Sequence, residues 1–277
     1  MDKLAIGVSL AEAVELCKRR LDGDPAHQSL GALNIGFLHS DEVPAELPEL
    51  LKETGLAVVV HSVDLNLSTR LDEAKVDAIG AKLDLLDALW LEEDVGIWTW
   101  NEMFLGAHQL NPILDRRTRE TTARNIRRCA QITGRPLMIE NPPVYCIWGD
   151  EDLWHYLSDL AEQADCGIVM DVGHMIGYQI AAMADQSVPA SWNGWRRVRE
   201  LHFSGYETGE MDGLPVWWDR HDLPFGPGLL DWGAAAATAA SASGGVMMSL
   251  EIEGAPADVA AANLAAIERI MGGLRNG

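Results

Sequence analysis

Eight alternations of a short apolar segment with a helical one predict an α/β fold, a (β/α)8 TIM barrel, because each parallel return needs a crossover helix. Two further features of the chain agree. The strand segments are apolar and rich in β-branched residues, and several of them run straight into a His, Asp or Glu. The 277 residues suit one such barrel of about 250 residues, so residues 1–277 are expected to form a single domain.

Residues 4–10 read as the first strand, and Leu10, Val14, Cys17 and Leu21 recur at helical steps in the helix after it. Residues 30–38 make the second strand, and a helix with Pro44 in its first turn covers 44–52. The third strand, 56–61, is Leu-Ala-Val-Val-Val-His. Its helix spans 71–89, with Val76, Ile79, Leu83, Leu86 and Leu89 on one face. The fourth strand is placed at 94–102, ending in Asn101 and Glu102, and a basic helix over 116–132 stops at Gly134. The fifth strand runs from Arg135 into Glu140-Asn141-Pro142-Pro143, with a helix over 150–163. Residues 166–171 form the sixth strand, running into Val172-Gly173-His174 and a helix to about Met183. Residues 198–205 form the seventh. A long loop carrying Trp217, Trp218, Asp219, His221 and Asp222 leads to an Ala-rich helix over 232–242. Strand eight, 246–253, is closed by a helix over 255–271.

With 21 Lys and Arg against 42 Asp and Glu, the net charge is −21. Such a field repels polyanions, so neither nucleic acid nor an anionic membrane surface is an expected partner, whereas cations are welcome. Cys17, Cys129, Cys146 and Cys166 show no Cys-x-x-Cys spacing, which points to reduced thiols in a cytoplasmic protein. No stretch approaches the roughly 18 apolar residues of a membrane span.

The active face of such a barrel lies at the carboxyl ends of its strands. His61, Glu140, Asp171, His174, His202, Asp219, His221 and Glu251 therefore converge on one mouth despite their separation in sequence. Buried carboxylates need partners, and imidazoles mixed with carboxylates suit iron, manganese or zinc. Eight donors exceed the needs of one ion, so two or three metals are implied. Asn141 is expected to orient Glu140 or an exogenous ligand. His39, His108, Asn101 and Glu102 sit on the same rim without a motif, with Glu102 a supplementary donor. His27 and His155 read as structural, and Trp217 with Trp218 as the wall of a substrate cleft.

These residues resemble the multinuclear non-heme iron-dependent oxidases, which modify ribosomally made peptides and include the methanobactin-type maturases. The resemblance runs from about Gly7 to Glu253. It is carried by His61-Ser-Val-Asp-Leu-Asn-Leu-Ser, Gly134-Arg-Pro-Leu-Met-Ile-Glu-Asn-Pro, Cys166-Gly-Ile-Val-Met-Asp-Val-Gly-His, Leu201-His-Phe-Ser-Gly, Asp219-Arg-His-Asp-Leu-Pro and Ser249-Leu-Glu. It implies a barrel of the xylose-isomerase-like type holding two or three irons, Fe(II) and Fe(III). A mixed-valent pair would bind the peptide, often through a cysteine thiolate, and use O2 as co-substrate. The eight residues above fall on ligand or near-ligand positions, with Glu140, Asp171 and His202 also catalytic. Two departures stand out. Trp98-Thr-Trp-Asn-Glu102 occupies the region where the family commonly shows an Asp-His pair after strand four, and Tyr206 follows Gly205 where histidine is commoner.

The expected function is thus oxidation of a precursor-peptide residue, with a separate peptide-recognition protein delivering the precursor. A divalent-metal sugar isomerase and a non-catalytic metal-binding barrel are the alternatives. A zinc endonuclease is disfavoured by the negative charge.

Overall fold

The computed structural model describes residues 3–101, 103–105, 110–185, 187–242 and 244–276. Its strands are β1 (Lys3–Ser9), β2 (Ala32–Phe37), β3 (Ala57–Ser62), β4 (Leu91–Asp94), β5 (Thr99–Trp100), β6 (Met103–Phe104), β7 (Leu137–Glu140), β8 (Ile168–Asp171), β9 (Val198–Phe203), β10 (Tyr206–Met211), β11 (Leu214–Asp219) and β12 (Met247–Leu250). Its helices are α1 (Leu10–Leu21), α2 (Leu47–Thr54), α3 (Glu73–Leu85), α4 (Arg116–Thr133), α5 (Leu153–Ala164), α6 (Val172–Ala181), α7 (Leu229–Ser241) and α8 (Ala257–Asn276).

Eight strands close into a barrel in the order β1-β12-β9-β8-β7-β4-β3-β2. All of its pairings are parallel, as the crossover helices require. The (β/α)8 expectation holds. Helix starts are set by side-chain caps: Ser9 and Glu12 form a capping box on α1, and Asp72, Asp115, Asp152 and Asp171 cap α3, α4, α5 and α6. Gly134, at φ 66°, supplies the left-handed residue that ends α4.

Two expectations fail, both at the mouth. The fourth barrel strand is Leu91–Asp94 rather than 94–102. Leu-Glu-Glu-Asp lacks an apolar run, yet all four residues are fully buried. The segment after it folds into the short β5–β6 hairpin, clasped by Asn66, whose Oδ1 accepts from Trp98 N at 2.8 Å and Thr99 N at 3.0 Å. Glu102 and His108 lie outside the described residues. The expected loop before Asp219 is instead the β10–β11 hairpin, turned at Asp212 and Gly213, both at positive φ. Helix bounds also shift by a few residues; α3 ends at Leu85, leaving Leu89 half exposed.

Candidate metal centre

Strand periodicity of two aims alternate residues into the barrel. At the strand ends these are His61 on β3, Asp94 on β4, Glu140 on β7, Asp171 on β8, His202 on β9 and Glu251 after β12. His61 Nε2 stands 3.4 Å from both Asp94 Oδ2 and Glu140 Oε2. His202 Nδ1 stands 3.2 Å from both Glu140 Oε1 and Glu251 Oε1. Glu140 thus lies between two imidazoles whose ring centres are 5.8 Å apart.

A second group adjoins the first. Asp171 caps α6 by accepting from His174 N at 2.5 Å, which seats His174 one turn above it. His174 Nδ1 donates to Asn141 O at 2.8 Å, leaving Nε2 3.5 Å from Asp219 Oδ2. That bond fixes which ring nitrogen is left for a ligand. His221 Nε2 lies 2.9 Å from the same Asp219 oxygen and 3.7 Å from Glu251 Oε2, and its Nδ1 is held by Glu253 at 2.6 Å. Trp217 walls this side. Its ring meets His174 edge-on at 5.9 Å and packs where Gly177 leaves room, since a Cβ there would lie 2.6 Å from Trp217 Cδ2.

All eight sequence-predicted residues therefore come together at one mouth. Four groups that sequence reasoning missed join them: Asp94 at the mouth, and Asn34, Glu92 and Glu200 one inward step below it. The Asp94 carboxylate stands at the end of strand four, where the resemblance called for a histidine. Strand four ends at Asp94, eight residues before the expected Glu102, because a segment with three acids in four residues does not read as buried. Asn141 acts on its neighbours rather than on Glu140: its amide bonds both backbone groups of Asp171, at 2.8 and 3.0 Å. Trp217 is a buried wall, whereas Trp218 points outward and is 39% exposed, so the pair does not line one cleft. His39 stays outside the cluster and hydrogen-bonds the buried Asp64. Tyr206 closes the edge by donating to Pro227 O.

Burial and neighbouring charge oppose each other throughout the site. Burial disfavours the charged form of His61, but Glu140 and Asp94 raise it to about 10. His174 and His202 also lie well above the usual range: burial works against them, and the carboxylates around each outweigh it. Asp171 is pushed up to about 7 by burial and by Glu251, Glu140 and Asp219. Glu140 is raised by burial and Asp94, against the pull of the two histidines. Glu251 and Asp219 are held low because their imidazole neighbours outweigh burial.

The donors fit a metal. Asp171 Oδ2 is buried without a hydrogen-bond partner, and Glu140 Oε2 and His61 Nε2 are buried with no hydrogen bond beyond the 3.4 Å ion-pair contacts above, a condition that costs free energy unless a ligand satisfies it. Candidate donor atoms of Glu140, Asp171, His202 and Glu251 lie within 4.8 Å of one another, as do those of His61, Asp94 and Glu140. Carboxylate with imidazole suits a borderline transition metal.

Comparison with known proteins agrees with this geometry. A UPF0276 protein of Vibrio parahaemolyticus is 22% identical over 177 residues, 59% of this chain and 58% of that protein. One of Caulobacter sp. (strain K31) is 30% identical over 130 residues, 43% of this chain and 45% of that protein. This chain thus spans about half the length of those two relatives; a third, from Rhizorhabdus wittichii, is 25% identical over 220 residues and is covered to 74%. Among solved structures, D-psicose 3-epimerase of Clostridium cellulolyticum superposes with a TM-score of 0.59 at 13% identity, covering 97% of this chain and 98% of that one. A xylose isomerase-like TIM barrel protein of Mycobacterium smegmatis, in complex with magnesium, gives 0.58 at 13% identity, over 97% and 96%. Both show the fold alone. Among the described residues, no helix is long and apolar enough to cross a membrane. The family described as RiPP precursor modification enzyme MbnB/TglH/ChrH matches residues 37–271, from the end of β2 into α8. That span takes in all of the mouth residues above, and the chain belongs to this family, the multinuclear non-heme iron-dependent oxidases that its motifs resemble.

Proposed function

We propose that this protein is an iron- and O2-dependent oxidase that modifies a residue, often cysteine, of a ribosomally made precursor peptide. One observation carries the reading: Glu140 stands between His61 and His202 at the junction of two donor groups, its buried Oε2 making no hydrogen bond and facing His61 Nε2 at 3.4 Å. A carboxylate so placed suits a shared ligand of two ions. When bound, two or three irons would supply the redox equivalents and a seat for the substrate thiolate. His61, Asp94 and Glu140 would hold one ion. His202, Asp171, Glu140 and Glu251 would hold another, and His174, Asp219 and His221 belong to the outer position.

The chain's own residues then have defined tasks. Asn141 holds the Asp171 backbone with its side-chain amide and accepts from His174 Nδ1 with its backbone carbonyl, so one residue aims two donors. Trp217 shields the outer group from water on the α6 side. A cleft of about 1130 Å³ opens on the same rim, between the loop after β3, the start of α3 and the β5–β6 hairpin. Asn66, Arg70, Lys75, Trp100 and Phe104 line it, a mixture of cationic, amide and aromatic groups suited to a peptide segment. Residues 1–277 serve as one barrel domain in this reading, and a separate recognition protein delivers the precursor in the cytoplasm.

Anaerobic purification followed by metal analysis tests the proposal. Two or more irons per chain, with a visible absorption band on addition of the precursor peptide, is the expected result. One magnesium or manganese with sugar turnover would refute it. Bound metal with no turnover of peptide or sugar would favour a non-catalytic barrel.

A further inference from the structure

The interiors of such barrels are ordinarily filled by branched apolar side chains. Here the deepest interior cluster conforms, with Ala5, Ala32, Val59 and Met247. Between it and the mouth lies a polar layer, and Asn34, Glu92 and Glu200 are each at most 2% exposed. Burying two carboxylates in the middle of a barrel is costly unless they serve something. What they face is His202. Its Nε2 lies 3.0 Å from Asn34 Nδ2 and 3.4 Å from both Glu92 Oε2 and Glu200 Oε1, while its Nδ1 faces the mouth.

The layer is not itself a cation site. Asn34 Nδ2 already occupies its middle, 2.8 Å from Glu92 Oε2 and 3.4 Å from Glu200 Oε1, where a cation would have to stand. Trp90 Nε1 further anchors Glu92 from below at 2.5 Å. Glu200 Oε2, by contrast, is buried without a hydrogen-bond partner, so this carboxylate keeps spare accepting capacity.

A neutral imidazole that offers one nitrogen to a metal carries its proton on the other, and that proton needs an acceptor. Resting on the metal reading above, we propose that Glu92 and Glu200, held in place by Asn34, are positioning residues forming a proton-accepting floor beneath His202. They hold its Nε2–H and thereby present Nδ1 to the ion between Glu140 and Glu251. Asn34 serves this arrangement by donating its amide hydrogens to Glu92 Oε2 and Glu200 Oε1, which pins both carboxylates beside the ring. The floor also sends negative charge through the imidazole toward the ion, which strengthens the donor nitrogen.

The test uses full-length protein with Fe(II), and separately Co(II), added anaerobically; the visible spectrum of Co(II) reports its donor set. In Glu200→Gln, binding of both ions is expected to weaken by about 10–100-fold and the Co(II) bands to shift. In a His202→Ala background the same substitution is expected to change affinity by no more than about twofold, because its route to the metal is gone. Unchanged affinity and spectrum, or an equal loss in both backgrounds, would overturn the proposal. A parent protein that binds neither ion overturns the metal reading as well, which separates the two failures. Circular dichroism of the metal-free variants reports folding, and where Glu200→Gln does not fold, Glu92→Gln carries the same test.

Discussion

Replacing Glu140 with Gln keeps the shape of the side chain and removes the charge that faces His61 at 3.4 Å and His202 at 3.2 Å. At an effective dielectric constant of about 20, each contact amounts to about 5 kcal/mol before desolvation. Breaking a buried pair costs about 3–5 kcal/mol net when no other partner remains. Here each histidine retains a second carboxylate at the same distance, Asp94 for His61 and Glu251 for His202. The metal-free variant should therefore lose no more than about 3 kcal/mol. For 277 residues, an unfolding entropy near 0.6 kcal/mol/K makes this a fall of at most about 5 °C in Tm.

The metal-dependent part has a different size. Free metal at one hundred times its Kd stabilises the parent by about 2.7 kcal/mol, or roughly 5 °C. A hundredfold loss of affinity at the same concentration leaves about 0.4 kcal/mol, less than about 1 °C. Anaerobic calorimetry with and without Fe(II), paired with metal analysis, reads both numbers. A Glu140→Gln protein with the parent's metal-induced rise and metal content would refute the ligand role and leave Glu140 as a structural ion pair.

Two further substitutions probe the same mouth. Asp94→His keeps a donor at the end of β4 and is expected to retain iron after anaerobic loading and desalting. Asp94→Ala should lose at least about tenfold in affinity, as read by metal analysis. Gly177→Ala places a Cβ 2.6 Å from Trp217 Cδ2. Overpacking of this kind costs about 1–3 kcal/mol, or roughly 2–5 °C in Tm, and it displaces the ring that faces His174.

The mouth was legible where an apolar run ends in a polar side chain. Val58 to Val60 before His61, Leu137 to Ile139 before Glu140, and Ile168 to Met170 before Asp171 each announce a buried strand and its terminal donor. The floor beneath was not. Asn34 sits alone between Leu33 and Ile35, Glu200 between Arg199 and Leu201, and Leu91–Asp94 is three-quarters acidic. Pattern rules assume that an interior is apolar, and this one is charged in its upper half. Met211-Asp212-Gly213-Leu214 did carry a hairpin turn signal, but Glu207, Gly209 and Glu210 deny β10 any apolar alternation. Its fixed point is Trp217, which is 4% exposed because it packs on α6, a contact with no local signature.

Charge in the barrel also sets how metal and protons compete. In the metal-free protein His61 lies at about 10 and Asp171 at about 7, and Glu140 and Glu200 are raised by burial and acidic neighbours. Protons thus stand in for cations. For His61, the folded value exceeds the ordinary 6.5, so its contribution is complete below 6.5 and is lost as pH rises through about 10. For Asp171 the folded value exceeds the ordinary 3.8, so its contribution is complete below 3.8 and is lost through about 7. The metal-free fold should consequently weaken between about pH 4 and pH 10, through Asp171 in the lower part and His61 in the upper part. Metal affinity should move the other way over the same window, since ligands must shed these protons to bind. Urea denaturation of the metal-free protein across this range, set beside Co(II) titrations with a pH indicator in weak buffer, measures both slopes and the protons released. Stability and affinity that rise together with pH, or binding that releases no protons, would show that the histidines and carboxylates pair with one another rather than wait for a cation.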